Sequence, residues 1–115
     1  MKCRRGDVVL VLFPDSNLRT AKRRPALVVQ AETLGTGLPQ TTVAMISSNM
    51  ARAGHPSRVT VNLNTPEGRR SGLRSDSVIM TDNLATVMDT EIDRVIGSFN
   101  DLTAVDDGLR RTLGL

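Results

Sequence analysis

In Asp7-Val-Val-Leu-Val-Leu-Phe13 the acid is followed by an unbroken run of branched and aromatic side chains, Val8–Phe13, closed by Pro14. It is too short for a helix and apolar at consecutive positions, as a strand buried on both faces would be. From Pro14 to Arg24 the chain turns polar and basic (Pro-Asp-Ser-Asn-Leu-Arg-Thr-Ala-Lys-Arg-Arg). This is longer than the usual connection of about 4–6 residues, and long polar loops are where function concentrates. Pro25 forces Arg24 out of the helical region, so a second strand is predicted over Ala26–Gln30 with Arg24 at its entrance.

Further along, Thr41–Ile46 reads as a third strand that ends in the polar switch Ser47-Ser48-Asn49, followed by a surface loop over 50–58. Arg58–Leu63 alternates as a half-exposed strand does. A Pro-, Gly- and Arg-rich loop spans Asn64–Arg74, and Ser77–Thr81 is a short buried strand. Asp89–Asp93 reads as one helical turn and Val95–Phe99 as the last strand. Thr103-Ala-Val-Asp106 has the spacing of a capping box, and Val105, Leu109 and Leu113 recur at every fourth residue, so a C-terminal helix weakened by Gly108 is predicted. Short strands at close spacing with one terminal helix imply a mainly β fold, a small antiparallel β-barrel rather than a doubly wound α/β sheet.

At 115 residues the chain is expected to be one domain, 1–115. The apolar run Val8–Phe13 is shorter than a signal core and far below the ~20 residues of a membrane span, so a soluble, cytoplasmic protein is expected. One cysteine, Cys3, and one histidine, His55, form no zinc-binding cluster, and metal-independent chemistry is the expectation. Residues 1–74 carry 12 Lys/Arg against 4 Asp/Glu, whereas residues 75–115 carry 3 against 8. The first two thirds therefore suit an anionic partner, although a solvated basic face has the same composition. Phe13 and Phe99 are the only aromatics besides His55, so an RNA partner would be read by arginine planes and polar groups rather than by stacking on aromatic rings.

Three pieces, Arg5-Gly-Asp-Val-Val-Leu-Val-Leu-Phe-Pro14, Lys22-Arg-Arg-Pro-Ala-Leu-Val-Val29 and Val43-Ala-Met-Ile-Ser-Ser48, together resemble the MazF/PemK (Kid) toxin family. Gly72-Leu-Arg-Ser-Asp-Ser-Val-Ile-Met-Thr-Asp82 fits the family's later strand, and the order holds through Val95-Ile-Gly to the closing helix. The resemblance implies an SH3-like barrel that forms a homodimer and cleaves single-stranded RNA without metal or cofactor. It also implies a cognate acidic antitoxin of the MazE kind. By the same resemblance Arg24 and Ser47 match the family's catalytic arginine and hydroxyl, and Asp82 matches a carboxylate found in several members. Lys22, Arg23, Asn49, Arg52, His55, Arg58 and Arg74 are candidate RNA contacts, with Arg69 and Arg70 as further basic neighbours.

Metal-free RNA cleavage uses the adjacent 2′-hydroxyl as nucleophile and needs a proton acceptor, a stabiliser of charge on phosphorus and a proton donor for the leaving oxygen. A guanidinium suits the second task because its planar fork meets two phosphate oxygens at once. The chain departs from the family in carrying Ser47 where threonine is usual, Met80 where some members have a basic residue, and Ser16-Asn-Leu-Arg-Thr20 in the first loop. A general acid at the Met80 position therefore does not transfer. Two other readings share the fold: a CcdB-like toxin that binds DNA gyrase, disfavoured because the chain has no tryptophan, and an inactive RNA-binding member.

Overall fold

The computed structural model describes residues 3–14 and 19–115. The described residues form six strands, β1 (Asp7–Pro14), β2 (Ala21–Val28), β3 (Gln40–Ser47), β4 (Arg58–Val61), β5 (Ser77–Met88) and β6 (Ile92–Ser98), with single helical turns between β3 and β4 and between β5 and β6. A one-turn helix α1 (Pro66–Arg70) precedes β5, and α2 (Thr103–Leu113) ends the fold. All strand pairings are antiparallel, in the spatial order β4-β5-β3-β2-β1-β6. The sheet curls without closing, since β4 and β6 are not paired with each other. Between them the chain after α1 packs on β6 at two glycines: a side chain on Gly97 would collide with Arg70 and Ser71, and one on Gly72, at φ +74°, with the Ile96 backbone. The expected mainly β barrel is thus present in open form.

The unbroken apolar run in β1 is explained by burial on both faces. Val8 joins Leu27, Ala44, Ile46, Val61, Ile79 and the helix residue Val105 in one cluster. Val9 and Val11 join Ala26, Val28, Val43, Val87 and Ile92 in the other. The buried stretch Val8, Val9 and Val11 leaves no place for a polar residue, and the run is exposed to solvent towards its end, at Leu12.

Strand boundaries differ from the expectation most in β2 and β5, and β6 begins at Ile92 rather than Val95, directly after a helical turn that ends at Glu91. β2 begins at Ala21, ahead of Pro25, and pairs with β1 from Ala21 to Leu27, whereas its ladder to β3 covers only Ala26–Val28. Proline has no N–H to donate, so it suits the rung where β2 parts from β3 while the pairing to β1 continues. β5 continues past Thr81 to Met88. Asp82-Asn83, which reads as a turn, is part of a bulge: Ala44 faces Leu84, but the next β3 residue, Met45, faces Met80.

The terminal helix starts where expected and is held differently. Its N-cap is Leu102, and no capping box forms around Thr103. The Thr103 N–H instead donates to the Asp101 carboxylate, and Asp106 accepts from Arg5 Nη2 at 2.6 Å, tying the start of β1 to α2. Gly108, expected only to weaken the helix, is buried, and a side chain there would press on Thr81. Leu113 is exposed.

Candidate active site

Beyond the last β2–β3 rung, where Ala26 faces Met45, the two strands separate. A groove of about 1010 Å³ opens there, lined by Arg24 and Pro25 of β2 and by Met45, Ile46 and Ser47 of β3. Two residues past the Ala26–Met45 rung on each strand lie Arg24 and Ser47, on the same sheet face by alternation. Further lining comes from β5, through Met80, Asn83 and Ala85, and from Leu73, Arg74 and Ser75. Leu10, Arg94 and Ile96 complete the far wall.

Five arginines, 23, 24, 52, 74 and 94, border this groove, and among the described lining residues there is no carboxylate. Among the described residues, one of the five is neutralised by an ion pair: Arg23 Nε lies 3.1 Å from Asp93. Arg24, Arg74 and Arg94 are exposed and make no ion pair among the described residues. Arg52 Nη1 stands 3.8 Å from the Met80 sulfur, which brings a guanidinium over the methionine. The result is a concave surface of one sign, the form that concentrates field and attracts polyanions.

Ser47 Oγ accepts the Asn49 N–H at 3.1 Å. A hydroxyl used in this way keeps its own O–H to donate, so the bond that terminates the strand also aims a donor at the groove. Asn49 in turn caps the turn at 50–52, its side chain accepting from the Ala51 N–H.

The remaining residues expected at the site fall outside the groove lining. Asp82 accepts a forked pair from Arg58, with Nε to Oδ1 at 3.3 Å and Nη2 to Oδ2 at 2.9 Å. The Arg58 guanidinium holds the Asp82 carboxyl below the ordinary carboxylate range. Arg58 also donates to the Arg52 carbonyl, bracing the loop that carries Arg52. His55 has an orienting partner not evident from sequence: its Nδ1 accepts the Ser57 N–H and lies 2.7 Å from Ser57 Oγ. Lys22 is exposed on β2 and Asn49 on the turn after β3, neither lining the groove. The first-loop departure lies mostly outside the described residues.

Sequence reasoning passed over Arg94 and Asn83. Arg94 belongs to the acidic last third of the chain, where a net negative count hides it, and Asn83 follows Asp82 with no local signal of its own. The chain's pairing register would have found Arg94, since it faces Leu10, which in turn faces Pro25 next to Arg24.

A family model described as the PemK-like, MazF-like toxin of type II toxin-antitoxin systems matches residues 4–113. The chain belongs to this family. Among curated proteins it is 34% identical over 107 residues to endoribonuclease MazF6 of Mycobacterium tuberculosis and to endoribonuclease MazF2 of Mycobacterium bovis, covering 90% of each chain. The MazF-like fold agrees: a mycobacterial endoribonuclease solved in complex with its cognate antitoxin superposes with a TM-score of 0.74 at 19% identity, over 99% of this chain and 97% of that one. The MazE-MazF structure from Deinococcus radiodurans gives 0.72 at 20% identity, over 98% and 97%. Among the described residues of this MazF-like chain, no helix is long and apolar enough to cross a membrane.

Proposed function

We propose that the chain is a sequence-specific endoribonuclease toxin of a type II toxin-antitoxin system, acting on single-stranded RNA in the cytoplasm and arresting growth. The observation that carries this reading is the placement of Arg24 and Ser47 at the facing ends of two parting strands, inside a groove bordered by five arginines. It accords with relatives named endoribonucleases at 34% identity.

In this mechanism the substrate 2′-hydroxyl gives its proton to solvent water and attacks the adjacent phosphorus, a 2′,3′-cyclic phosphate forms as the bond to the 5′-oxygen of the next nucleotide breaks, and that oxygen leaves with a proton taken from water. Arg24 binds the non-bridging oxygens and stabilises the charge that grows on them. Ser47 donates its O–H to the same phosphate, held for that purpose by the Asn49 N–H. Arg74 and Arg94 hold flanking phosphates, and Arg52, set over Met80, supplies a second cation close to the reacting centre. Asp82 acts one step back, by fixing Arg58 and through it the Arg52 loop. No metal takes part in these steps.

The whole of 1–115 forms the one toxin domain, working as a homodimer. The same cationic groove suits an acidic antitoxin segment, which would silence the toxin by occupying it, and related toxins have been solved with their antitoxins. End-group analysis tests the chemistry: products should carry 5′-hydroxyl and 2′,3′-cyclic phosphate ends, and a strand with a single 2′-deoxy nucleotide at the cut site should survive. Cleavage of that strand, or 5′-phosphate products, would rule out attack by the 2′-hydroxyl.

A further inference from the structure

The bulge in β5 sends three successive side chains in three directions. Thr81 is buried and donates to the Ser57 carbonyl, with Gly108 of α2 packed against it. Asp82 turns outward into the forked pair with Arg58. Asn83 is left exposed and lines the groove, where its carboxamide makes no hydrogen bond among the described residues. The two preceding residues are thus pinned to the adjacent residues Ser57 and Arg58 at the start of β4, which fixes the backbone that presents the third. Bulges next to active sites re-aim a side chain in this manner.

The groove's other polar groups are of a different kind. Its arginines donate only, and its serines carry a single hydroxyl each. Phosphate oxygens accept only, so for holding the backbone a carboxamide's acceptor would be idle. A nucleobase edge differs in offering a donor and an acceptor side by side, the pattern that an asparagine matches with two bonds. Among the described residues lining the groove, Asn83 is the single carboxamide.

We infer that Asn83 reads the edge of one nucleobase of the RNA and so sets the cleavage preference at one nucleotide position. This assignment rests on the endoribonuclease reading above and adds a specificity-determining residue to it. The backbone-binding arginines fix the strand's path, and the pinned bulge sets which base meets the carboxamide.

The test compares wild type, Asn83→Ala and Asn83→Asp on a randomised pool of single-stranded RNA, with cut sites mapped by sequencing and folding checked by thermal melting. Asn83→Ala should still cut, with discrimination at one nucleotide position reduced by about tenfold or more and the other positions unchanged. Asn83→Asp keeps the shape and an acceptor but loses the donor, so preference at that position should shift towards bases with an amino group. Identical cut profiles for all three proteins would overturn the assignment while leaving the nuclease reading intact. A folded Asn83→Ala protein that no longer cuts would also overturn it, because the residue would then serve the chemistry. Absence of cutting by the wild type would remove the nuclease reading and this assignment with it.

Discussion

Arg24 and Ser47 are cross-strand partners without a ladder between them: the β2–β3 register that sets Ala26 against Met45 carries on to this pair, but the pairing itself has stopped. The guanidinium and the hydroxyl therefore face a shared opening rather than a hydrogen-bonded sheet. Ser47→Ala removes a donor from that opening and should lower single-turnover cleavage by about a hundredfold. Ser47→Thr keeps the hydroxyl and stiffens its rotamer, so most of the rate should remain. Equal losses in both variants would show that the site tolerates only the serine shape and that the hydroxyl is not what matters.

Groove arginines should differ from other surface cations in the salt dependence of binding. Each phosphate neutralised on a single strand contributes about 0.7 to the slope of log affinity against log salt. Arg94→Ala, which removes a groove cation, should flatten the slope by about that amount, and Lys22→Ala, outside the lining, should leave it unchanged. Titrations with a 2′-O-methylated strand, which binds but lacks the nucleophile, provide the measurement.

The Arg58–Asp82 pair gives acid stability a specific origin. Because Asp82 titrates lower in the fold than its usual value of about 3.9, the pair stabilises the folded state above that pH. The contribution is lost as the pH falls through the depressed value. Asp82→Asn should accordingly make stability less steeply dependent on pH below about 4, as read by urea denaturation at a series of pH values. The effect should be small, since the pair is partly exposed to solvent.

Gly108 offers a prediction whose sign opposes helix propensity. Replacing a mid-helix glycine by alanine ordinarily gains about 1 kcal/mol. Here the new methyl would come within 2.8 Å of Thr81 Oγ1, which is already engaged with Ser57. Overpacking of about 1–3 kcal/mol should outweigh the gain, so Gly108→Ala should melt lower than the wild type. A higher melting temperature would mean that α2 shifts off the bulge without cost.

The elements with one dominant local signal were legible in the sequence: β1 from its doubly apolar run, β3 from its end at Ser47, and α2 from the spacing of Val105 and Leu109. Three features were hidden because their local chemistry fits two structures equally well. Pro25 reads as a strand start, yet it sits inside β2, where its missing N–H coincides with the end of one ladder and leaves the other running. Asp82-Asn83 reads as a turn and is a bulge, distinguishable only once the partner strand's register is known. Thr103 and Asp106 have capping-box spacing, but Arg5, distant in sequence, captures the acid. For the site, Arg24 and Ser47 were visible through the family resemblance, and the structure brings both into one groove together with Arg23, Arg52 and Arg74. Arg94 and Asn83 depend on tertiary placement and carry no local signature.

The central claim is tested most directly by incubating wild-type protein and Arg24→Ala with a long single-stranded RNA in EDTA and mapping the fragment ends by primer extension. The expected result is discrete cuts by the wild type that are lost, or reduced about a hundredfold to a thousandfold, in a variant that melts like the wild type. Intact RNA with the wild-type protein, or the same cuts at the same rate without Arg24, would contradict the account.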